Sequence, residues 1–205
     1  MKSKGEIIKQ VNKFKYLGCL ITSDGKWDIE IKRRIGIAKD CFKKMNPIFR
    51  NNNISLPTKL RVLKAYVWSV LLYGCWTIAD EFKKKLEATE MWFLRRMLKV
   101  SWKDKRTNES VLEEVGIKRS LIQTIRKRQM QFLGHLNRHK GIEHLALTGK
   151  IEGKRSRGQP RVMYLKNLNK WATDSEQTNI SFLRVSEDRD EWRNMITDAC
   201  FRPGT

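Results

Sequence analysis

The stretch FKYLGCLIT, Phe14 to Thr22, is aromatic and β-branched and closes on Ser23-Asp24-Gly25, a turn signal; it predicts a short strand or hairpin. From Trp27 to Met45 the period changes. Ile31, Ile35, Ala38 and Phe42 recur at helical spacing, with Lys32, Arg33, Lys39 and Lys43 off that stripe. Asp28 near the start and Pro47 beyond the end suit the boundaries of a helix. Asn51, Asn52 and Asn53 mark a loop. A second helix is expected from about Pro57 to Tyr73, with Leu60, Leu63, Val67, Val70 and Leu71 turned inward. Its later half is nearly all apolar, which suits the central helix of a bundle.

Asp80 reads as the N-cap of a third helix reaching Leu98, with Phe82, Leu86, Phe93 and Met97 on one face. A short helix, Glu109 to Val115, stops at Gly116, and a longer one runs from Ser120 to about His139 through Leu121, Ile125, Phe132 and Leu136. After Gly141 the pattern fades, and Gly149 to Pro160 is basic and rich in glycine. Helix returns between Met163 and Trp171, and a last helix, Ser186 to Ala199, carries Trp192 and Ile196. The chain is therefore expected to be mainly α, with a short N-terminal β-strand or hairpin as lead-in. The expected segments are a lead-in over 1–26, a helical bundle over 27–140, a basic Gly-rich linker over 141–162 and a small helical tail over 163–205.

Composition adds one decisive feature. The 205 residues are 40% hydrophobic and include 7 tryptophans, enough to bury a core. Against 22 Asp and Glu stand 43 Lys and Arg, a formal charge of +21. Such self-repulsion costs stability and points to a polyanionic partner. No apolar run is long enough to cross a membrane, and MKSKGEIIKQ has no secretory apolar stretch, so an intracellular protein, nuclear or cytoplasmic and not secreted, is expected. Cys19, Cys41, Cys75 and Cys200 are far apart among apolar neighbours and read as reduced core residues.

The cations concentrate between Arg95 and Lys170, where 20 Lys and Arg face 6 Asp and Glu. They form clusters: Arg95 and Arg96; Lys103, Lys105 and Arg106; Lys118 and Arg119; Arg126, Lys127 and Arg128; and Lys154, Arg155, Arg157 and Arg161. Each is a candidate phosphate contact. Trp102, inside the basic stretch SWKDKR, is either a stacking platform for an unpaired base or a buried linker anchor. GKRSRGQPR, Gly153 to Arg161, is expected to be extended and flexible, which suits a phosphate clasp. Its Arg157-Gly158-Gln159-Pro160 is similar to the core of an AT-hook, with Gln159 in place of an arginine.

Other patterns carry less. The two helices about Gly116 have the spacing of a helix-turn-helix, a spacing that many helix pairs share. His135, His139 and His144 lack the cysteines or carboxylates that would complete a metal site, and none is assigned. Ala79-Asp80-Glu81 has the look of a paired-carboxylate polymerase turn, yet lies between two expected helices, where Asp80 as a cap explains it. No catalytic residue is assigned.

Several stretches, in order, resemble the region that follows the catalytic palm in reverse transcriptases of non-LTR (LINE-like) retrotransposons, above all the RTE type. FKYLGCLITSDGKWDIEIKRRIGIA resembles the palm-to-thumb segment, LLYGCWTI and LEATEMWFLRRMLKVSWKDKRTNESVL the helices after it, and FLGHLNRH, GKIEGKRSRGQPR and DRDEWRNM the C-terminal region. The likeness spans about Phe14 to Met195. It departs at YGCWTI, which is shorter than the family's stretch, at Gln159, and at Tyr164, which stands where the family has tryptophan.

The resemblance implies a thumb-like bundle that grips template RNA and primer DNA, with RNA, DNA or RNA–DNA hybrid as partner and the parent polymerase's palm and fingers as a second. It implies a primer grip at Tyr16, Leu17 and Gly18; the alternative is that Tyr16 and Leu17 pack on the first helix. The palm aspartates, and the magnesium they would hold, lie outside these residues, so no cofactor is expected in this segment and no activity from it alone. An interaction scaffold for acidic proteins, a non-functional retrotransposon relic, and part of an active RNA-directed DNA polymerase completed by a palm are the alternatives.

Overall fold

Leu17 (φ 45°) and Gly18 (φ 78°) turn the chain back on itself, both with the positive φ that a two-residue hairpin loop requires. In the computed structural model of the chain, residues 2–3, 6–7, 10–25, 27–74, 80–117, 121–148, 164–173 and 178–201 are described. The turn joins β3 (Lys13–Tyr16) to β4 (Cys19–Thr22), paired antiparallel with Phe14 opposite Ile21 and Tyr16 opposite Cys19. A shorter antiparallel pair, β1 (Lys2–Ser3) and β2 (Glu6–Ile7), precedes it. Beyond the hairpin the described residues are mostly helical, as the helical spacing predicts.

The chain divides into two compact units, Met1–Arg119 and Ser120–Thr205. In the first, α1 (Asp28–Lys44) buries Ile31, Ala38 and Phe42, and α2 (Asn46–Arg50) folds back to lay Phe49 flat on Phe42, ring centroids 4.4 Å apart. The helix expected over Pro57 to Tyr73 is interrupted. α3 (Leu56–Val62) passes through a π turn, Leu63–Val67, into α4 (Trp68–Leu71). The wider π turn keeps Leu63, Val67 and Leu71 on one side, and all three are fully buried. α5 (Asp80–Met97) buries Phe82, Leu86, Phe93 and Met97, the expected face, and its Phe93 and Trp92 close an aromatic cluster on Phe42. α6 (Asn108–Val115) starts at a Thr107 cap, buries Val111 and Val115, and ends on Gly116 with φ 70°.

The second unit differs from expectation at three places. α7 (Leu121–His139), assigned from sequence to the bundle over 27–140, packs instead on α9 (Tyr164–Ala172) and α11 (Arg189–Phe201). Its Met130 and Leu133 share one core with Leu168, Ala172, Phe182, Trp192 and Ile196. The expected linker over 141–162 opens with a helix, α8 (Ile142–Thr148); from 149 to 162 it lies outside the described residues. α10 (Asn179–Val185), capped by Thr178, is an additional helix that period alone did not single out.

Trp192 explains why FLGHLNRH and DRDEWRNM come together across some fifty residues. Its indole N–H donates to the Met130 carbonyl at 2.9 Å, and its ring lies edge-on to Phe182, centroids 5.1 Å apart. A Cβ at Gly134 would stand 2.4 Å from Trp192 Nε1 and 2.6 Å from Cδ1, so only glycine lets α7 pass the indole. Beside it, the Asn137 amide donates to the Leu183 carbonyl and to Ser186 Oγ, each at 2.8 Å, and Arg138 donates to the Ser186 carbonyl at 2.8 Å. These hydrogen bonds tie α7 to the end of α10 and the turn after it.

Two glycine substitutions separate this packing from helix propensity. Gly36→Ala in α1, where an added Cβ meets nothing within 4 Å, is expected to stabilise by up to about 1 kcal/mol. Gly134→Ala is expected to destabilise by about 1–3 kcal/mol through overpacking against a buried, rigid ring. Urea midpoints of the two variants, moving in opposite directions, are the check.

Candidate nucleic-acid interface

The hairpin tip is held by its backbone. Glu30, on α1 and only 1% exposed, accepts from Arg33 Nε at 2.7 Å, Arg34 Nε at 2.7 Å and the Leu20 amide at 3.1 Å. Both arginines also donate to the Gly18 carbonyl, and the Tyr73 hydroxyl donates to the Leu17 carbonyl at 2.6 Å. The Arg34 guanidinium lies 4.3 Å from the centre of the Tyr73 ring. Burial works to raise the Glu30 pKa, but the hydrogen bonds from Arg33, Arg34 and the Leu20 amide, with the Arg33 charge, hold it below the usual carboxylate value.

The side chains at the tip are free. Leu17 is 74% exposed, Tyr16 is exposed beside Phe14, and neither is packed away on α1. The packing alternative for Tyr16 and Leu17 is therefore corrected: two anchored carbonyls, and not those side chains, fix the tip. Gly18 keeps its positive φ with Tyr73 and Arg34 3.8 Å from where a Cβ would be.

Neighbouring cations in the sequence part company in the fold. Consecutive helical residues point about 100° apart, so Arg95 and Arg96 cannot act as a pair. Arg95 turns inward and donates to the Arg106 carbonyl at 2.7 Å and to Asn108 Oδ1 at 3.0 Å. Arg106 in turn donates to the Ser110 carbonyl at 3.2 Å and pairs with Glu114. Both arginines fasten the segment between α5 and α6 through these donors, a structural role that the reading of them as phosphate contacts did not include.

Arg96 turns outward. Its guanidinium stands 4.2 Å from the centre of the Trp92 ring, against which Lys39 also lies, at 5.1 Å. A cleft of about 490 Å³ is lined by Asn46, Arg50, Arg96, Lys99 and Val100, three cations and no carboxylate. Lys99 donates to Asn52 Oδ1 at 2.8 Å and occupies the left-handed position (φ 61°) at the end of α5, where glycine is usual. The Val100 amide donates to the Arg95 carbonyl and the Lys99 amide to the Arg96 carbonyl, which closes the helix in a Schellman turn. Arg50, Lys39 and Lys99 belong to no cluster visible in the sequence. Only the return of α2 onto the end of α5 brings Arg50 and Lys99 together.

Trp102 is 84% exposed, which decides against a buried anchor. It opens a 3-10 turn, Trp102–Asp104, closed by a reciprocal cap: the Lys103 amide donates to Ser101 Oγ, and the Ser101 amide donates to Asp104 Oδ2 at 2.6 Å. Lys103 and Lys105 are exposed on either side. In the second unit, Lys127 and Arg128 are exposed, whereas Arg126 is half-buried and donates to Gln129 Oε1 at 3.3 Å. Lys118, Arg119, Lys154, Arg155, Arg157 and Arg161, with the whole Gly153–Arg161 clasp, lie outside the described residues.

Of the two helices about Gly116, α6 buries Val111 and Val115 in the first unit, and α7 buries Met130 and Leu133 in the second. The His135 and His139 rings lie 4.2 Å apart and are exposed, and among the described residues no three His, Cys, Asp or Glu side chains gather as a metal site. Cys19, Cys41 and Cys200 are half-buried free thiols, and burial pushes the Cys200 thiol up. Among the described residues no helix is long and apolar enough to cross a membrane.

Comparison of the chain with known protein families, with curated proteins and with solved structures finds no match in any of the three.

The geometry separates fasteners from free cations, and thermal or urea unfolding can read the difference. Arg95→Ala is expected to cost about 1.5–3 kcal/mol, as loss of charge-assisted hydrogen bonds does, and Arg96→Ala less than about 0.5 kcal/mol, as at other exposed sites. For the hairpin clamp, Glu30→Gln leaves Arg34 buried without its counter-charge and is expected to cost on the order of 3 kcal/mol at pH 7. Because the folded-state pKa of Glu30 is lowered, its contribution is present above the unfolded value of about 4.3 and is lost as pH falls through the folded value. The stability gap between wild type and Glu30→Gln should therefore narrow as pH drops below about 4.3.

Proposed function

We propose that this chain is the nucleic-acid-binding, thumb and post-thumb part of a non-LTR retrotransposon reverse transcriptase, gripping template RNA and primer DNA through their phosphates. The observation that carries the reading is the cleft of Arg50, Arg96 and Lys99, which gathers three cations from two helix ends and has no acid in its lining. A protein that needed these cations for its own fold would pair them, as it pairs Arg33, Arg34 and Arg106. With no carboxylate in the cleft lining they repel one another, and a polyanion relieves that repulsion.

Trp102 supports the same reading. A rigid turn presents its indole to solvent between two lysines, the combination that holds an unpaired base by stacking and its phosphates by charge. The clamped tip at Leu17 and Gly18 suits a primer grip, in which backbone close to a strand end must stay fixed. Phosphate contacts of this kind position a strand without reading its sequence, and the chemistry of synthesis would belong to a palm. An exposed apolar hairpin face of Phe14, Tyr16 and Ile21 favours a second partner, the palm of the parent polymerase.

Fluorescence anisotropy with labelled RNA–DNA hybrid, duplex DNA and single strands, across a salt titration, tests the proposal. The variant is Arg50→Ala, Arg96→Ala and Lys99→Gly together; glycine suits the positive φ at position 99, so stability is kept. Removing three cations that neutralise phosphates is expected to make the log–log salt slope shallower than that of wild type by roughly 2–3, with at least tenfold weaker binding at 50 mM salt. Trp102→Ala should weaken single-strand binding by about 1–3 kcal/mol and change duplex binding little. An unchanged slope in the triple variant would sink the reading.

A further inference from the structure

The second unit carries a groove of about 510 Å³ that none of the sequence clusters outlined, between α7 and α11. From α7 it is lined by Lys127, Gln131 and Arg138, which recur on one face of that helix. From α11 it is lined by Arg189 and Arg193, one turn apart, with Trp192 and Ile196 as a buried apolar floor. Four cations therefore border the groove, and no carboxylate is among its lining residues. The two helices run antiparallel: Arg138 reaches Ser186 just ahead of α11, and Trp192, further along α11, bonds back to Met130, earlier on α7. That order puts the three arginines towards one end and the lysine towards the other. From Lys127 to Arg138 is eleven residues, about 16 Å along the helix, long enough for more than one phosphate.

Internal stability accounts for Arg138 alone among these cations. Arg189 stands in the first turn of α11, where the helix dipole disfavours positive charge. Arg193 has a partner, Asp190 at 3.1 Å, but both side chains are largely exposed, and such pairs contribute little. Arg138 alone is built in, through the Ser186 carbonyl. An apolar floor lowers the local dielectric and strengthens any ion contact made above it. Exposed apolar side chains of the unit, Phe132, Ile142, Leu145 and Ile180, lie outside the groove lining, which favours a recessed strand over a lipid surface.

We propose that the α7–α11 groove is a second phosphate-binding site, in which Lys127, Arg189 and Arg193, beside the anchored Arg138, hold the backbone of a nucleic-acid strand. Its ligand class rests on the proposed function, but the site is built from different residues in a different unit.

The experiment uses the full chain and three variants, with the same labelled strands and salt titration. The groove variant is Lys127→Ala, Arg189→Ala and Arg193→Ala, which spares Arg138 because it fastens the fold. The control variant, Lys166→Ala, Lys170→Ala and Arg184→Ala, removes equal charge from positions of the same unit outside the groove. The third is the Arg50, Arg96 and Lys99 variant, alone and combined with the groove variant. Circular dichroism verifies that each folds. The groove variant is expected to flatten the salt slope by roughly 2–3 and to weaken binding at least tenfold, both alone and on top of the first-unit variant, while the control variant loses less than threefold. Equal losses in groove and control variants, a groove variant that binds like wild type, or a groove effect seen only with anionic vesicles would each overturn the site. If the groove variant loses binding while the first-unit variant does not, the groove stands as a site and the first-unit reading fails; wild type that binds no strand overturns both.

Discussion

With 43 lysines and arginines against 22 aspartates and glutamates, folding brings like charges together, and the compact state must absorb that repulsion. The fold absorbs it in two ways. Some arginines become internal fasteners: Arg33 and Arg34 on Glu30 and the Gly18 carbonyl, Arg95 and Arg106 on backbone carbonyls around α6, Arg138 on the Ser186 carbonyl. The guanidinium suits this work, because its planar fork of donors can hold several acceptors at once. Other cations, among them Arg50, Arg96, Lys99, Arg189 and Arg193, are set on rims, where solvent screens them.

Where those rims lie depends on how the helices end. α5 closes in a Schellman turn with a lysine in the glycine position, which fixes Lys99 beside Arg50 and Arg96. A few residues further along, the reciprocal cap of Ser101 and Asp104 holds Trp102 out in water. In the second unit the close passage of α7 over Trp192, possible because position 134 is glycine, brings the cations of α7 and α11 to one groove. Packing and charge are thus coupled. The contacts that build each core also decide which cations share a cleft.

Three tryptophans show how little residue type says alone. Trp192 is sealed in a core with its N–H spent on a carbonyl, Trp92 lends its ring to two cations at a half-buried edge, and Trp102 is almost wholly exposed. All three fall at positions from which a sequence reader expects an inward side chain or a linker anchor. Their surroundings, supplied by residues tens of positions away, separate them.

The sequence by itself determined the local order: a short β lead-in within Phe14 to Thr22, the periods of α1, α5, α7 and α11, the stop at Gly116, and the excess of positive charge. These depend on neighbours within a turn or two, where backbone sterics and side-chain period act. Only the tertiary structure decided that α7 belongs with the C-terminal helices, that α8 and α10 exist as separate helices, and that Arg95 is a fastener while Arg96 faces outward over Trp92. Adjacent residues on a helix face different ways, and what each one meets is set by the packing of segments far apart in the chain. The cations of the α7–α11 groove, from 127 to 193, are distant in sequence and close in space for that reason.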